Sequence, residues 1–272
     1  MITSQHLPRI VIQPSKRSWN GRVYYWGPND VTVNGSVFTG NKAASGGAIW
    51  SYGAGGIIIA SKFEGNSAGS GGALWVAEGD GENLTDVVIR DNSATGNGGG
   101  IYDAASGDGG VIDDSTISGN RAGGQGGGLW DGNSNVTYVS GSRIEGNSAA
   151  DGAGVYDDIS TILELTASTI SGNQAAADGG GIYNAAFGSD NLRNSTLSSN
   201  DAAGQGGGIY QQGIDLSLTA EGTSIIRNRA PGGGGGIYDD GPGISVTLIS
   251  SPVTGNKPDN CEPPGSITGC TG

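Results

Sequence analysis

One histidine, His6, serves the whole 272-residue chain, and that scarcity removes several chemistries. A lone imidazole near the N-terminus leaves no Ser-His-Asp relay of the usual kind. It also leaves too few nitrogen and sulfur ligands for a zinc site, so no metal site is expected. Cysteine occurs only as Cys261 and Cys270, close together in "NCEPPGSITGC". A short disulfide loop clasping the end of a secreted protein is the expectation. Bases are scarce: 13 Lys and Arg against 26 Asp and Glu give a formal charge of −13. That balance excludes nucleic acid and an anionic membrane surface as expected partners. No apolar run approaches the roughly 18 residues of a spanning helix, so no membrane insertion is expected. The opening "MITSQHLPRIVIQ" lacks the apolar core of a signal peptide. The disulfide expectation points to an extracellular or cell-surface location, with the export signal not present in this chain.

What is abundant is glycine, 55 residues without a strict three-residue period, which rules out collagen. The stretch "VFTGNKAASGGAIW" at 37–50 returns as "KFEGNSAGSGGALW" at 62–75. Aligning on its Asn gives Asn41, Asn66, Asn92, Asn120, Asn147, Asn173, Asn200, Asn228 and Asn256, spaced by 25, 26, 28, 27, 26, 27, 28 and 28 residues. A fixed period in this range marks a repeat architecture. Three residues before each Asn stands an apolar residue, from Phe38 and Phe63 through Ile144 to Val253. Five before it stands Ser or Thr, except for Val87, while the position between varies freely (Lys62, Thr116, Arg143). Side chains alternate faces along a strand, so the uniform columns point inward. Two after the Asn comes Ala, then an aliphatic such as Ile49 or Leu74, and "TILELTA", "IDLSLTA" and "ISVTLIS" alternate in a third segment.

Three short strands per repeat and no helical stretch predict an all-β fold, a right-handed parallel β-helix of about nine coils stacked at about 4.8 Å. The predicted divisions are a non-repetitive cap over 1–32, holding Trp19, Tyr24, Tyr25 and Trp26, then the solenoid over 33–256, then a second cap over 257–272. Caps are expected because a solenoid end is an open sheet edge. Stacked Asn is expected to bond its neighbours and hold a sharp turn in the left-handed region.

The pairs "FTGN…GGAI" (Phe38, Asn41, Gly46 to Ile49) and "FEGN…GGAL" (Phe63, Asn66, Gly71 to Leu74) resemble the repeats of chlamydial polymorphic outer-membrane proteins. That resemblance implies a β-helical, surface-exposed, adhesin-like passenger over about residues 33–256. Later coils depart from it, with Ile for Phe and "GGGIY" for "GGAI". No autotransporter barrel follows the repeats, so self-export by that route is not implied.

Directly after the inward aliphatic runs an aromatic column: Trp50, Trp75, Tyr102, Trp130, Tyr156, Tyr183, Tyr210 and Tyr238. Alternation turns it outward, as an exposed stripe roughly 34 Å long. Such a stripe suits the apolar faces of a polysaccharide or cell-surface glycan, while rings one coil apart also suit stacking on one another. Beside it stand Asp103, Asp131, Asp157 with Asp158, and Asp239 with Asp240. They are the weak catalytic candidates for a glycoside hydrolase or polysaccharide lyase, with calcium conceivable but not indicated. The competing reading puts the first Asp of each set at a turn, bonded to its own backbone. Arg143 with Glu145 reads as a surface ion pair. A row of Thr and Ser on the same outward face (Thr116, Ser118, Thr169, Ser171, Thr196, Ser198) is interrupted by Arg143, Glu145 and Ile226, which counts against ice binding. No cofactor is expected, and the expected state is a monomer. The leading functional expectation is a secreted or cell-surface scaffold binding glycan along the stripe, the alternatives being a polysaccharide-active enzyme and a purely structural repeat.

Overall fold

A computed structural model describes residues 10–12, 23–26, 31–53, 55–107, 109–132, 136–158, 162–185, 188–213, 216–265 and 267–270, with backbone alone for 10–12, 25 and 26. His6, Trp19 and much of the expected N-terminal cap lie outside the described residues.

The coils run through three long parallel sheets, and six of them add a two-residue strand to a fourth. In the second complete coil the chain runs through Ile57–Ile59 of sheet A, Lys62–Glu64 of sheet B, the two-residue Ser67–Ala68 of sheet D and Leu74–Ala77 of sheet C. The four sheets hold ten, nine, six and ten strands in the order A, B, D, C. The three long sheets are the predicted three strands per coil, and Asn41 to Asn256 spans eight turns. Every strand pairs in parallel with its counterpart one coil away, as Phe38 does with Phe63 and Ile117 with Ile144. No helix occurs among the described residues.

Alternation fixes the interior. Phe38, Phe63, Ile89, Ile117, Ile144, Ile170, Leu197 and Ile225 are almost fully buried, as are the aliphatics of sheet C from Ile49 to Ile237. Leu163, Leu165, Leu192, Leu218 and Ala220 close the core from sheet A. Sheet D presents Ala122, Ala149, Ala175 and Ala202, which form a small cluster of their own with Ala153 and Ala230.

The Asn column is a continuous buried ladder. Asn147 Oδ1 accepts both the backbone N–H and the side-chain Nδ2 of Asn120, at 2.9 and 3.0 Å. Its own Nδ2 donates to Ile117 O and to Asn173 Oδ1. The pattern runs to Asn256, whose Nδ2 reaches Asn260 Oδ1. The left-handed residue, however, is the one before the Asn: Gly40, Gly65, Asp91, Gly119, Gly146, Gly172, Ser199, Arg227 or Gly255. The amide thus holds the turn through side-chain bonds rather than by adopting the turn geometry. Ser and Thr form a parallel ladder between sheets A and B, each hydroxyl accepting a backbone N–H from the preceding coil, as Ser142 Oγ does from Ser115 N.

Strands Ile10–Ile12 and Val23–Trp26 continue sheets A and C ahead of residue 33. At the far end Cys261–Glu262 adds the last strand of sheet C. Cys261 and Cys270 are bonded, with Cα atoms 6.3 Å apart. Cys261, Ile267 and Cys270 pack against the end of the core.

Candidate functional site

The aromatic column lies on the outer face of sheet C, and its rings stack along the axis. Centroids are 5.0 Å apart for Trp50 and Trp75, 6.0 Å for Trp75 and Tyr102, and 4.3 Å for Tyr102 and Trp130. Tyr156, Tyr183, Tyr210 and Tyr238 form a second run at 4.8 to 5.5 Å, with Tyr183 and Tyr210 tilted by 32°.

Outward does not mean exposed, and here the expected stripe needs correction. Trp130, Tyr156, Tyr183 and Tyr210 keep no more than 8% of their surface in solvent. Flat rings one coil apart cover each other's faces, and the chain beyond each strand covers the edges. The Trp130 indole folds over Gly132, where a Cβ would lie 2.3 Å from its Cη2. Tyr183 donates to Gln212 and Tyr210 to Asp240, each on the following coil. Burial pushes the Tyr156 phenol up to about 12 and raises those of Tyr183 and Tyr210 further, so they remain neutral donors.

The N-terminal end of the row is open. Trp50, Trp75 and Tyr102 are half-buried, as is Tyr238 at the other end. Two rings join that open end that the repeat alignment did not include. Tyr24 stacks on Trp50 at 4.2 Å and is 57% exposed, and Tyr52 lies 5.5 Å from Trp50. Val23 and Tyr24 repeat the aliphatic–aromatic pair Ile49 and Trp50, so the signal for Tyr24 stood inside the presumed cap.

The catalytic candidates sit elsewhere than expected. Asp103, Asp131 and Asp157 are buried inside the coil, in register with one another and with Asn184, Gln211 and Asp239. Strands such as Leu129–Asp131 extend through the Asp, so alternation returns the third residue to the interior instead of leaving it at a turn. The second acids, Asp158 and Asp240, follow the strands, and Asp239 is half-buried. Burial raises Asp103 to about 6 against the N–H that Ala105 donates to it. Asp157 is raised well above its ordinary value, first by burial and then by the carboxyls of Asp190, Asp131 and Asp158. Asp190 enters this interior from strand Ser189–Arg193 of sheet A, where the coils on either side place Leu163 and Leu218 and an earlier coil places the buried Thr137. Burial raises it to about 7, offset by donation from Leu163 N and Asn184 Nδ2.

Among the described residues no three His, Cys, Asp or Glu side chains come together as a metal site. Arg143 and Glu145 form the expected surface pair at 2.6 Å. Two shallow grooves of about 330 and 570 Å³ run along the outside of sheet D, share Arg121, and contain no carboxylate in their walls.

Gln211 is fully buried in the interior column, and neither atom of its amide finds a hydrogen bond among the described residues. Replacing it with Met, which keeps its length, is expected to raise the unfolding free energy by about 1–2 kcal/mol, read by chemical denaturation. A loss of stability would show that the amide is bonded in solution.

No curated protein and no solved structure matches the chain. Residues 21–268 match the family model described as the right-handed β-helix region, so the repeat, the parallel sheets and the family assignment agree, and the chain belongs to the right-handed β-helix family.

Proposed function

We propose that this protein is an exported, adhesin-like β-helix scaffold that binds a polysaccharide or cell-surface glycan on the open end of its aromatic row. The carrying observation is the group Tyr24, Trp50, Tyr52, Trp75 and Tyr102, nearly parallel stacked rings that keep accessible surface beside the sheet. Rings held this way offer the apolar edges of the stack, and the open surface of Tyr24, to a pyranose at little cost in side-chain entropy, because stacking has already fixed them. The likeness of the first two repeats to those of the chlamydial surface proteins supports the same reading. The Cys261–Cys270 bond suits an oxidising location outside the cell. The scaffold acts as a monomer in this reading, with no cofactor.

The competing reading, a polysaccharide lyase or glycoside hydrolase, requires carboxylates that the substrate can touch. Asp103, Asp131 and Asp157 are enclosed, and this observation favours binding over catalysis.

The test is retention in gels cast with acidic and neutral polysaccharides. Trp50→Ala with Trp75→Ala is expected to weaken retention at least about tenfold, or 1.4 kcal/mol, with circular dichroism unchanged. Tyr183→Ala, in the covered stretch, is expected to lower stability and leave retention intact. Unchanged retention in the double variant would rule out the platform. Absence of retention by the wild-type chain across the panel would leave a purely structural repeat.

A further inference from the structure

Independently of any ligand, the interior of the coil holds acids that an ordinary core does not. Asp103 and Asp157 project inward from sheet C and Asp190 from sheet A, all three buried. No ion pair among the described residues reaches any of them. Among the described residues, neither oxygen of Asp157 receives a hydrogen from an N–H or O–H group, yet its carboxyl faces that of Asp190. Two carboxyls meeting with no donor between them are compatible only if one carries a proton and donates it to the other. The surroundings add no counter-charge. Asp157 is faced by Asp190 across the corner, by Asp131 from the preceding coil and by its neighbour Asp158. Around Asp190 stand Asp157, Glu164, the Asn184 amide and the N–H of Leu163. Asp103 meets the Ala105 N–H, and it borders Gly110 together with the backbone of the buried Glu82.

We propose that the corner between sheets A and C is an acid-stabilised seam, in which Asp103, Asp157 and Asp190 are held as carboxylic acids, with Asp157 and Asp190 bonded to one another as neutral groups, so that the solenoid is firmest in acidic medium and loosens as the pH rises. The sign follows from proton counting. In the unfolded chain these acids lose their protons around the ordinary value of 3.8, whereas the folded chain keeps them to about 6 at Asp103 and about 7 at Asp190. Above the ordinary value the unfolded state binds fewer protons, so stability is level below about 4, falls with rising pH through the range in which Asp103 and Asp190 titrate, and goes on falling until Asp157, also raised, has lost its proton. Most proteins whose carboxylates are ion-paired behave in the opposite way across this range.

The experiment is thermal melting of the full chain at about pH 4.5 and about pH 8. The wild-type Tm is expected to be higher at the lower pH by at least about 5 °C. Asp157→Asn and Asp190→Asn imitate the neutral acid, and Asn already occupies the same column at Asn184. Each is expected to raise the Tm at pH 8, and together they should remove half or more of the gap. Asp86→Asn, the same change of charge at an exposed turn, should leave the gap intact and so separates the seam from general relief of the −13 charge. A wild-type Tm equal or higher at pH 8, or a full gap surviving in the double variant, would overturn the proposal. Should the double variant not fold, the infrared spectrum of the wild-type chain at about pH 6 decides: a protonated-carboxyl C=O band that vanishes by about pH 8 supports the seam, and its absence refutes it.

Discussion

Asn147→Ala is expected to lower the unfolding free energy by about 4 kcal/mol, whereas Asn41→Ala, the same change at the first rung, costs about 1 kcal/mol. The difference is a matter of who is left unpaired. Asn147 Oδ1 is the acceptor for Asn120 N and Asn120 Nδ2, and Asn147 Nδ2 is the donor to Ile117 O. Deleting the side chain in the middle of the ladder leaves Asn120 N without its acceptor and takes from Asn120 Nδ2 one of its two acceptors, Ile89 O remaining. It also removes a donor from Ile117 O. Each loss costs about 1–3 kcal/mol, because water cannot reach these groups. Asn41 is different: its Oδ1 accepts nothing among the described residues, and its Nδ2 makes one bond, to Asn66. Denaturant midpoints of the two variants, converted with a common slope, check the contrast. Equal losses at both positions would mean that the ladder's energy is local to each turn rather than passed from coil to coil.

This ladder was legible in the sequence because it repeats. A column of Asn at steps of 25 to 28 residues, with apolar and hydroxyl columns at fixed offsets before it, admits few structures besides stacked parallel coils. The inward faces of sheets A and B follow from the same alternation, as Leu163 and Leu165 in "TILELTA" illustrate. Exposure on the outer face was not legible. Trp130 and Tyr210 point away from the coil as alternation requires, but their burial depends on Gly132, on Asp240 and on rings one coil away. Alternation tells direction, not what lies beyond. The Asp column failed for a narrower reason: whether Asp157 faces inward or turns with the loop hinges on a single residue of strand length. Asp190 did leave a trace, since "SDNLR" sets an acid where the coils on either side place Leu163 and Leu218. An acid flanked by apolar residues one coil to each side is the pattern to look for.

The glycines of the repeat divide into two classes that sequence alone does not separate, and the division yields the second large effect. Gly146 and Gly179 both occupy the left-handed region, at φ of +64° and +65°. A Cβ on Gly146 would meet nothing within 4 Å, and the same turn in other coils is made by Asp91, Ser199 and Arg227. Gly146→Ala therefore carries only the backbone cost, about 1–2 kcal/mol. A Cβ on Gly179 would lie 2.6 Å from Tyr183 Cβ and 2.8 Å from Ile182 O, atoms of the strand that follows it. Neither is the end of a flexible side chain, so the strand itself must move, and Ile182 and Tyr183 are tied in register to both neighbouring coils. Overpacking of this kind adds about 1–3 kcal/mol to the backbone cost, and Gly179→Ala is expected to lose about 4 kcal/mol in all. Its equivalents Gly46, Gly71, Gly98, Gly126, Gly152, Gly206 and Gly234 all combine a positive φ with a close approach to the strand that follows. Thermal melts of the two variants make the comparison at equal chemistry. A Gly179→Ala protein as stable as Gly146→Ala would mean that sheet C yields along its length, in which case the packed aromatic row resting on that sheet could not be rigid either.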